Sequence, residues 1–147
     1  MTGFNHTLAG SIIAVITPAP LMPIFALASH FILDAMPHFG NHAAITVENG
    51  RLSKRFKQLL IVDALLCIAS LSLALLLFPD KWLVITIGVI FAAGPDFLWM
   101  FESRAKSRLS KRFFIFAKRI QWAEWPRGWI LEIIYGLTFV TILFAIK

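Results

Sequence analysis

Three apolar windows of this chain are long enough to cross a lipid bilayer, and each contains one charged residue. They are Leu59–Phe78 with Asp63, Trp82–Phe101 with Asp96, and Gly128–Ile146 with Glu132. Each window has about 20 residues, the length that a helix needs to cross ~30 Å of hydrocarbon. Hydrophobic residues make up 59% of the chain and charged residues 15%, which is outside the usual range of soluble proteins. The sequence therefore predicts an integral membrane protein.

Prolines divide a fourth apolar stretch, Leu8–Leu33, into two segments. The interrupting residues are Pro18, Pro20 and Pro23. Because proline cannot continue the hydrogen bonds of a helix, we expect two short helices, roughly Asn5–Thr17 and Leu21–Met36, joined by a tight turn. The first is either a thin span or half of a re-entrant hairpin, and in the second case protein must cover it. The predicted fold class is all-α, a polytopic bundle of about five membrane helices in a single domain, residues 1–147.

If two helices precede residue 37, most of the basic residues lie on one side of the membrane. Twelve of the 14 Lys and Arg residues lie in or beside the segments Phe39–Phe56 and Glu102–Arg127: Arg51, Lys54, Arg55, Lys57, Arg104, Lys106, Arg108, Lys111, Arg112, Lys118, Arg119 and Arg127. Lys81 and Lys147 remain for the opposite side. Since cytoplasmic loops carry an excess of Lys and Arg, we expect a protein of the cytoplasmic membrane with its N-terminus and both basic segments in the cytoplasm.

With the helices in this order and orientation, the ionisable residues of the apolar helices lie at the same depth in the membrane. They are His6 at the start of the first helix, His30, Asp34 and His38 at the end of the second, and Asp63, Asp96 and Glu132 near the same side of the three long windows. A lone carboxylate in hydrocarbon costs several kcal/mol unless it is paired, protonated or metal-bound. Neither Asp63 nor Asp96 has a basic residue in its own span.

A divalent metal ion would account for these residues together. His30 and Asp34 are four residues apart and share one helix face, as two ligands on one helix do. A mixture of His and Asp suits Zn²⁺ first, with Mn or Fe as alternatives. The predicted ligands are His6, His30, Asp34, His38 and Asp96.

Structural roles compete with metal binding for several of these residues. The alternatives are a place at the start of the first helix for His6, a solvated loop for His38, and interhelical hydrogen bonding by a protonated carboxyl group for Asp63. For Glu132 the sequence favours an ion pair with Arg127 or Arg119.

Three motifs resemble those of the YdjM-like family of small inner-membrane proteins, which are described as metal-dependent hydrolases. The motifs are NHTLAG at residues 5–10, ASHFILDAMPH at residues 28–38 and GPDFLW at residues 94–99. The resemblance implies metal-dependent hydrolysis and places His6, His30, Asp34, His38 and Asp96 at ligand-type positions. The chain departs from the family pattern because it lacks a His-Arg-x-x-Thr-His segment after the second helix.

The segment 102–125 has the pattern of an amphipathic helix at a membrane interface. Leu109, Phe113, Phe116, Ala117 and Ile120 share one face, and Arg108, Lys111, Arg112, Lys118 and Arg119 lie on the other. Such a helix binds anionic lipid headgroups, although the charges also serve to set topology. A nucleic-acid partner is not expected, because no recognition fold accompanies the charge.

Two classes of function are consistent with this pattern. One is a membrane-embedded metal-dependent hydrolase that acts on a phosphoester or another ester of a lipid-like substrate, with Asp63, Glu102 or Glu124 as the group that takes a proton from water. The other is a non-enzymatic protein with a structural cation site, or a small ion or proton carrier. A carrier needs a polar path to the far side, where this sequence offers only Ser and Thr, so the pattern favours the hydrolase.

Overall fold

Six α-helices form the architecture of the protein in a computed structural model. The structure describes residues 1–40, 47–48, 51–98 and 107–147. The helices are α1 (Gly3–Ile16), α2 (Met22–Ala35), α3 (Lys54–Leu77), α4 (Trp82–Phe97), α5 (Arg108–Ile120) and α6 (Trp129–Ala145). Single 3₁₀ turns, Pro79–Lys81 and Gln121–Ala123, precede α4 and follow α5. The all-α class predicted from the sequence is confirmed.

The described residues also form four two-residue strands, which were not predicted. They are β1 (His38–Phe39), β2 (Val47–Glu48), β3 (Arg51–Leu52) and β4 (Glu124–Trp125). Strand β1 pairs in parallel with β4, and β2 pairs in antiparallel fashion with β3. The β1–β4 pair joins the segment after α2 to the segment before α6, so it closes one end of the helical bundle.

Local sequence signals set the helix boundaries. The α1–α2 connection is a tight turn in which the backbone N–H groups of Leu21 and Met22 donate to the Pro18 carbonyl, and Pro23 lies in the first turn of α2. Proline is tolerated there because the first N–H groups of a helix have no partner within it. Ser53 caps α3 by accepting from the Phe56 N–H at 3.2 Å. The predicted proline-interrupted hairpin is therefore present.

Helix α1 is the centre of the bundle. It packs against α2, α3, α4 and α6, and its polar residues Asn5, His6 and Ser11 are fully buried. With 14 residues it is roughly 21 Å long, which is less than the hydrocarbon thickness of ~30 Å. Four helices surround it, so its backbone and polar groups are covered by protein, as the sequence required.

Small residues let α1 and α4 approach closely. Gly10 and Ala14 of α1 face Gly88 and Ala92 of α4, so each helix presents two small residues spaced four apart. A Cβ atom at Gly88 would lie 2.7 Å from the Gly10 carbonyl oxygen and 2.9 Å from the Ala14 Cβ. This spacing is typical of helix pairs in membranes, where contact between backbones replaces the hydrophobic effect.

We expect Gly88→Ala to destabilise the fold by about 1–3 kcal/mol, because the new methyl group forces α4 away from the α1 backbone. Gly94→Ala on the same helix is the matched control, since a Cβ there meets nothing within 4 Å. The control should change stability by less than about 1 kcal/mol. Unfolding of both variants in detergent measures the difference, and equal stabilities would contradict the α1–α4 packing.

Polar residues lie inside the bundle beside an apolar core that includes Leu8, Ile12 and Ile85, and apolar side chains also cover much of its surface. Exposed apolar side chains occur on every helix, and Leu76 of α3 is 80% exposed. The buried polar set is Asn5, His6, Thr7, Ser11, His30, Asp34, His38, Ser70 and Glu132. Among the described helices, α3 is the one that is both long and apolar enough to cross a membrane.

Helix α5 confirms the predicted amphipathic segment. Its apolar side packs on α2, where the Phe31 ring lies 6.4 Å from the Phe113 ring and 5.4 Å from the Phe116 ring, measured between centroids. The basic residues Lys111, Arg112, Lys118 and Arg119 are exposed. The helix begins at Arg108, and the side chains of Arg108 and Leu109 lie outside the described part of the chain.

Candidate metal centre

Five helix ends meet at one end of the bundle. The N-terminus of α1 lies beside the C-terminal ends of α2 and α4 and the N-terminal ends of α3 and α6. The connecting contacts are His6 with Asp34 and Asp96, Gly3 with Asp63, and Thr2 with Glu132. The common depth that the sequence predicted for these ionisable residues is therefore present. The opposite end carries Lys81, whose ammonium donates to the Val15 carbonyl at 2.8 Å.

Four of the five predicted ligands form one cluster. His6, His30, Asp34 and Asp96 each offer one donor atom, and these atoms all lie within 4.8 Å of one another. His6 Nε2 is 3.1 Å from Asp34 Oδ1 and 3.6 Å from Asp96 Oδ2. His30 Nε2 is 3.4 Å from Asp34 Oδ2 and 4.0 Å from Asp96 Oδ1. Ligands held about 2.0–2.2 Å from a tetrahedral ion lie roughly 3.3–3.6 Å apart, so the cluster has the size of a metal site.

The ring of His30 is oriented as in a metal ligand. Its Nδ1 lies 2.8 Å from the carbonyl oxygen of Ala92, which can only accept a hydrogen bond. The proton is therefore on Nδ1, and Nε2 presents its lone pair to Asp34 and Asp96. The His6 ring packs beside it with the centroids 4.3 Å apart. Together the two rings direct their Nε2 atoms at the same pair of carboxylates.

Among the described residues Asp96 has only the two histidines as cationic partners, whereas the α-ammonium group of Met1 already forms an ion pair with Asp34 Oδ1 at 2.7 Å. In the part of the chain that the structure describes, neither Asp34 nor Asp96 forms an ion pair with Lys or Arg. Asp34 Oδ2 accepts from Gln121 Nε2 at 3.2 Å. Two carboxylates in a largely buried site repel each other unless positive charge lies between them.

Asp63 holds the start of α1. Its Oδ2 accepts from the Gly3 N–H and its Oδ1 from the Phe4 N–H, both at 3.0 Å. The first N–H groups of a helix have no partner within it, and a carboxylate also stabilises the positive end of the helix dipole. Of the two roles that the sequence left open for Asp63, this is interhelical hydrogen bonding.

Glu132 is a second anchor for α1, and the ion pair with Arg127 or Arg119 that the sequence favoured is not its role. Glu132 is buried and accepts from Thr2 Oγ1 at 2.6 Å and from Asn5 Nδ2 at 2.6 Å. It also accepts from the Phe39 N–H of β1 at 3.2 Å. Asp63 and Glu132 together fix the depth and rotation of α1, and therefore the position of His6.

His38 lies outside the cluster, unlike the other four predicted ligands. Helix α2 ends at Ala35, and the Met36 backbone is extended with ψ at 155°. Residues that precede proline disfavour the helical conformation, so Pro37 ends the face that Asp34 and His38 would have shared. His38 is buried in β1, and its Nδ1 donates to the Met36 carbonyl at 2.7 Å.

Two of the three residues that the sequence predicted as proton acceptors lie beside the cluster. Asp63 and Glu124 both line the cavity that borders the cluster, and Glu124 lies opposite His38 in the β1–β4 pair. Glu102 lies outside the described residues.

A cavity of about 750 Å³ borders this cluster of His and Asp residues. Its polar wall contains His30, Asp34, Asp96, His38, Asp63, Glu124, Lys118 and Gln121. Its apolar wall comes from Phe31 and from residues of α3 and α5. Three of the four cluster residues line this cavity, so a bound ion would be reachable by a ligand, as a catalytic ion must be.

Comparison of the chain with protein-family models, with curated proteins and with solved structures finds no match. The chemistry that this site supports follows from its own residues.

Proposed function

We propose that this chain is a polytopic protein of the cytoplasmic membrane that hydrolyses a phosphoester or another ester at a divalent metal centre. The main support is the cluster of His6, His30, Asp34 and Asp96 beside a cavity with one polar and one apolar wall. The proposal agrees with the YdjM-like resemblance of the three sequence motifs.

The distribution of polarity supports the membrane location. Apolar side chains of α2, α3, α4 and α6 are exposed, while charged residues such as Asp34 and Glu132 are buried. A soluble protein buries its apolar residues and exposes its charges, because burial of apolar surface drives folding in water. Trp122, Trp125 and Trp129 are exposed near the basic helix α5, where aromatic residues of membrane proteins meet the headgroups.

Reporter fusions at Lys54 and Lys111 should be cytoplasmic, and a fusion at Pro79 should be external. The expectation rests on the Lys and Arg asymmetry and on the meeting of five helix ends at the basic end of the bundle. A cysteine-accessibility assay in intact cells is an independent readout. Opposite locations for residues 54 and 111 would contradict this topology.

The cluster fits a divalent metal by its donor set. Two imidazole nitrogens and two carboxylates suit Zn²⁺, with Mn or Fe as alternatives. Such an ion supplies Lewis acidity and makes water a nucleophile at neutral pH. His6, His30, Asp34 and Asp96 would hold it, and the Ala92 carbonyl keeps the His30 ring in the binding orientation.

The remaining polar residues of the cavity provide proton transfer and orientation. Hydrolysis adds water across the ester: the water oxygen joins phosphorus or the acyl carbon, and the bond to the leaving oxygen breaks. One water proton passes to a base, and the leaving oxygen gains a proton. Asp63 and Glu124 both line the cavity and are the candidates for this base, and both oxygens of Asp63 also accept from the α1 backbone.

A hydrolysis assay with a metal chelator tests the proposal. Protein purified in detergent should cleave at least one member of a panel of phosphate monoesters, phosphodiesters and carboxylic esters in mixed micelles. Chelation should abolish the turnover, and Zn²⁺ or Mn²⁺ should restore it. A metal-loaded protein with no turnover on the whole panel, together with lower thermal stability after chelation, would instead indicate a structural cation site.

A further inference from the structure

We propose that the substrate is a membrane-resident phospholipid whose apolar chain enters the cavity sideways from the bilayer, along one face of α3. This inference rests on the proposed hydrolase function and names its substrate class and entry route. The phosphoester would reach the cluster at His30, Asp34 and Asp96, while the chain stays in contact with the lipid-facing surface.

One face of α3 forms the apolar wall of the cavity. Phe56, Leu59, Leu60 and Leu66 line it, and Asp63 lies among them on the same helix face. Residues three and four apart occupy one side of a helix, so these positions form a continuous stripe. The stripe runs along α3 from Phe56 in its first turn to Leu66, and Asp63 within it contacts the start of α1 at Gly3 and Phe4.

This wall continues onto the outside of the protein. Leu59, Leu60, Val62 and Leu66 line the cavity and yet are 44%, 39%, 54% and 43% exposed. A pocket for a small water-soluble ester would bury most of the ligand within closed walls. Here the same side chains would touch a ligand in the cavity and the acyl chains of the bilayer.

Helix α5 forms the facing wall and gives the cavity its polar end. Phe113 and Phe114 line the apolar part, and Lys118 and Gln121 line the part near Asp34. In the described structure α5 packs mainly on α2 and on the turn Gln121–Ala123, with little contact to α3. The carboxylates of Asp34 and Asp96 line the same end, so Lys118 would attract an anionic headgroup together with a bound divalent ion that offsets them, and this combination favours a phosphate-bearing lipid over a neutral ester.

Paired tryptophan substitutions on α3 separate chain entry from catalysis. Leu60→Trp and Leu66→Trp put bulk into the cavity wall. Ile61→Trp and Leu65→Trp are matched controls, because Ile61 and Leu65 are 61% exposed and do not line the cavity. Each variant is assayed on dioleoyl phosphatidic acid in vesicles and on p-nitrophenyl phosphate in solution.

We expect Leu60→Trp and Leu66→Trp to lower turnover of the vesicle lipid by about tenfold or more, because a small misplacement of a bound substrate is costly. Turnover of p-nitrophenyl phosphate should fall less than turnover of the vesicle lipid in Leu60→Trp and Leu66→Trp, and it should change by less than about twofold in the controls Ile61→Trp and Leu65→Trp. Equal losses on both substrates, or equal effects of lining and control variants, would overturn lateral entry while leaving the hydrolase intact.

Photo-crosslinking gives a readout that does not depend on turnover. Long-chain phosphatidic acid with a diazirine on its acyl chain should label the residues that line the cavity more than the control positions Ile61 and Leu65. The lining residues are Phe56, Leu59, Leu60 and Leu66 of α3 and Phe113 and Phe114 of α5. Even labelling of all sides of α3 would reject the chain site. If the protein hydrolyses nothing but shows the selective labelling, the lipid site stands and the hydrolase function falls.

Discussion

Replacing Asp34 with Asn should remove the metal and abolish hydrolysis. Of the two carboxylates in the cluster, Asp34 lies closer to both histidines, with Oδ1 3.1 Å from His6 Nε2 and Oδ2 3.4 Å from His30 Nε2. The Asn side chain has one oxygen and no charge, so the variant lacks the anionic ligand. Its NH₂ group would face a histidine. Even changes in groups that only orient a ligand cost 10–100-fold in affinity, so we expect a loss of at least about 100-fold.

Mass-spectrometric metal analysis and calorimetric titration with Zn²⁺ measure this loss. Asp80→Asn is the matched control, because Asp80 is exposed at the opposite end of the bundle near Lys81. It removes the same charge and should leave both metal content and turnover unchanged. Asp34→Asn protein that retains a full complement of metal would contradict the assignment of Asp34 as a ligand.

Replacing Glu132 with Ala should cause the largest loss of stability of any single substitution at this end of the bundle. The buried carboxylate accepts from the Thr2 hydroxyl, the Asn5 amide and the Phe39 N–H. Each buried donor left without an acceptor costs roughly 1–3 kcal/mol, so we expect a total of about 3 kcal/mol or more. Metal affinity should fall as well, because α1 carries His6.

Two further variants serve as comparisons for the stability of Glu132→Ala. Glu132→Gln keeps one acceptor oxygen and should lose less stability than Glu132→Ala. Thr138→Val lies on the exposed side of the same helix and should change stability by less than about 0.5 kcal/mol. Unfolding in detergent, followed by intrinsic tryptophan fluorescence, ranks the three. If Glu132→Ala is as stable as Thr138→Val, the anchoring role of Glu132 is wrong.

Hydropathy and proline positions were sufficient to predict the helices. The proline-interrupted hairpin, a helix in each of the three longer apolar windows and the amphipathic helix are present, because each depends on local sequence. Of the three windows, α3 reaches membrane-crossing length among the described residues, whereas α4 and α6 have 16 and 17 residues. The placement of the ionisable residues at one end of the bundle was also predictable. Successive helices run in opposite directions, so the helix ends that carry these residues lie on the same side. The prediction of four clustered ligands followed from that common depth.

The contacts that fix α1 could not be predicted in the same way. Asn5 and Glu132 are 127 residues apart, and no local pattern specifies such a pair. A signal was present, however. A short first helix in apolar surroundings needs acceptors for its first N–H groups, and Asp63 and Glu132 were among the carboxylates predicted at that depth. The exclusion of His38 was also readable, because Met36 precedes a proline.

X-ray absorption spectroscopy of the protein loaded with Zn²⁺ tests the central claim most directly. We predict one ion per chain with nitrogen and oxygen ligands at about 2.0–2.2 Å, of which roughly two are imidazole nitrogens. The imidazole contribution should decrease in His6→Ala and in His30→Ala, whereas His38→Ala should retain it. A loaded protein with no bound ion, or an imidazole signal unchanged in His30→Ala, would contradict a metal centre in this cluster.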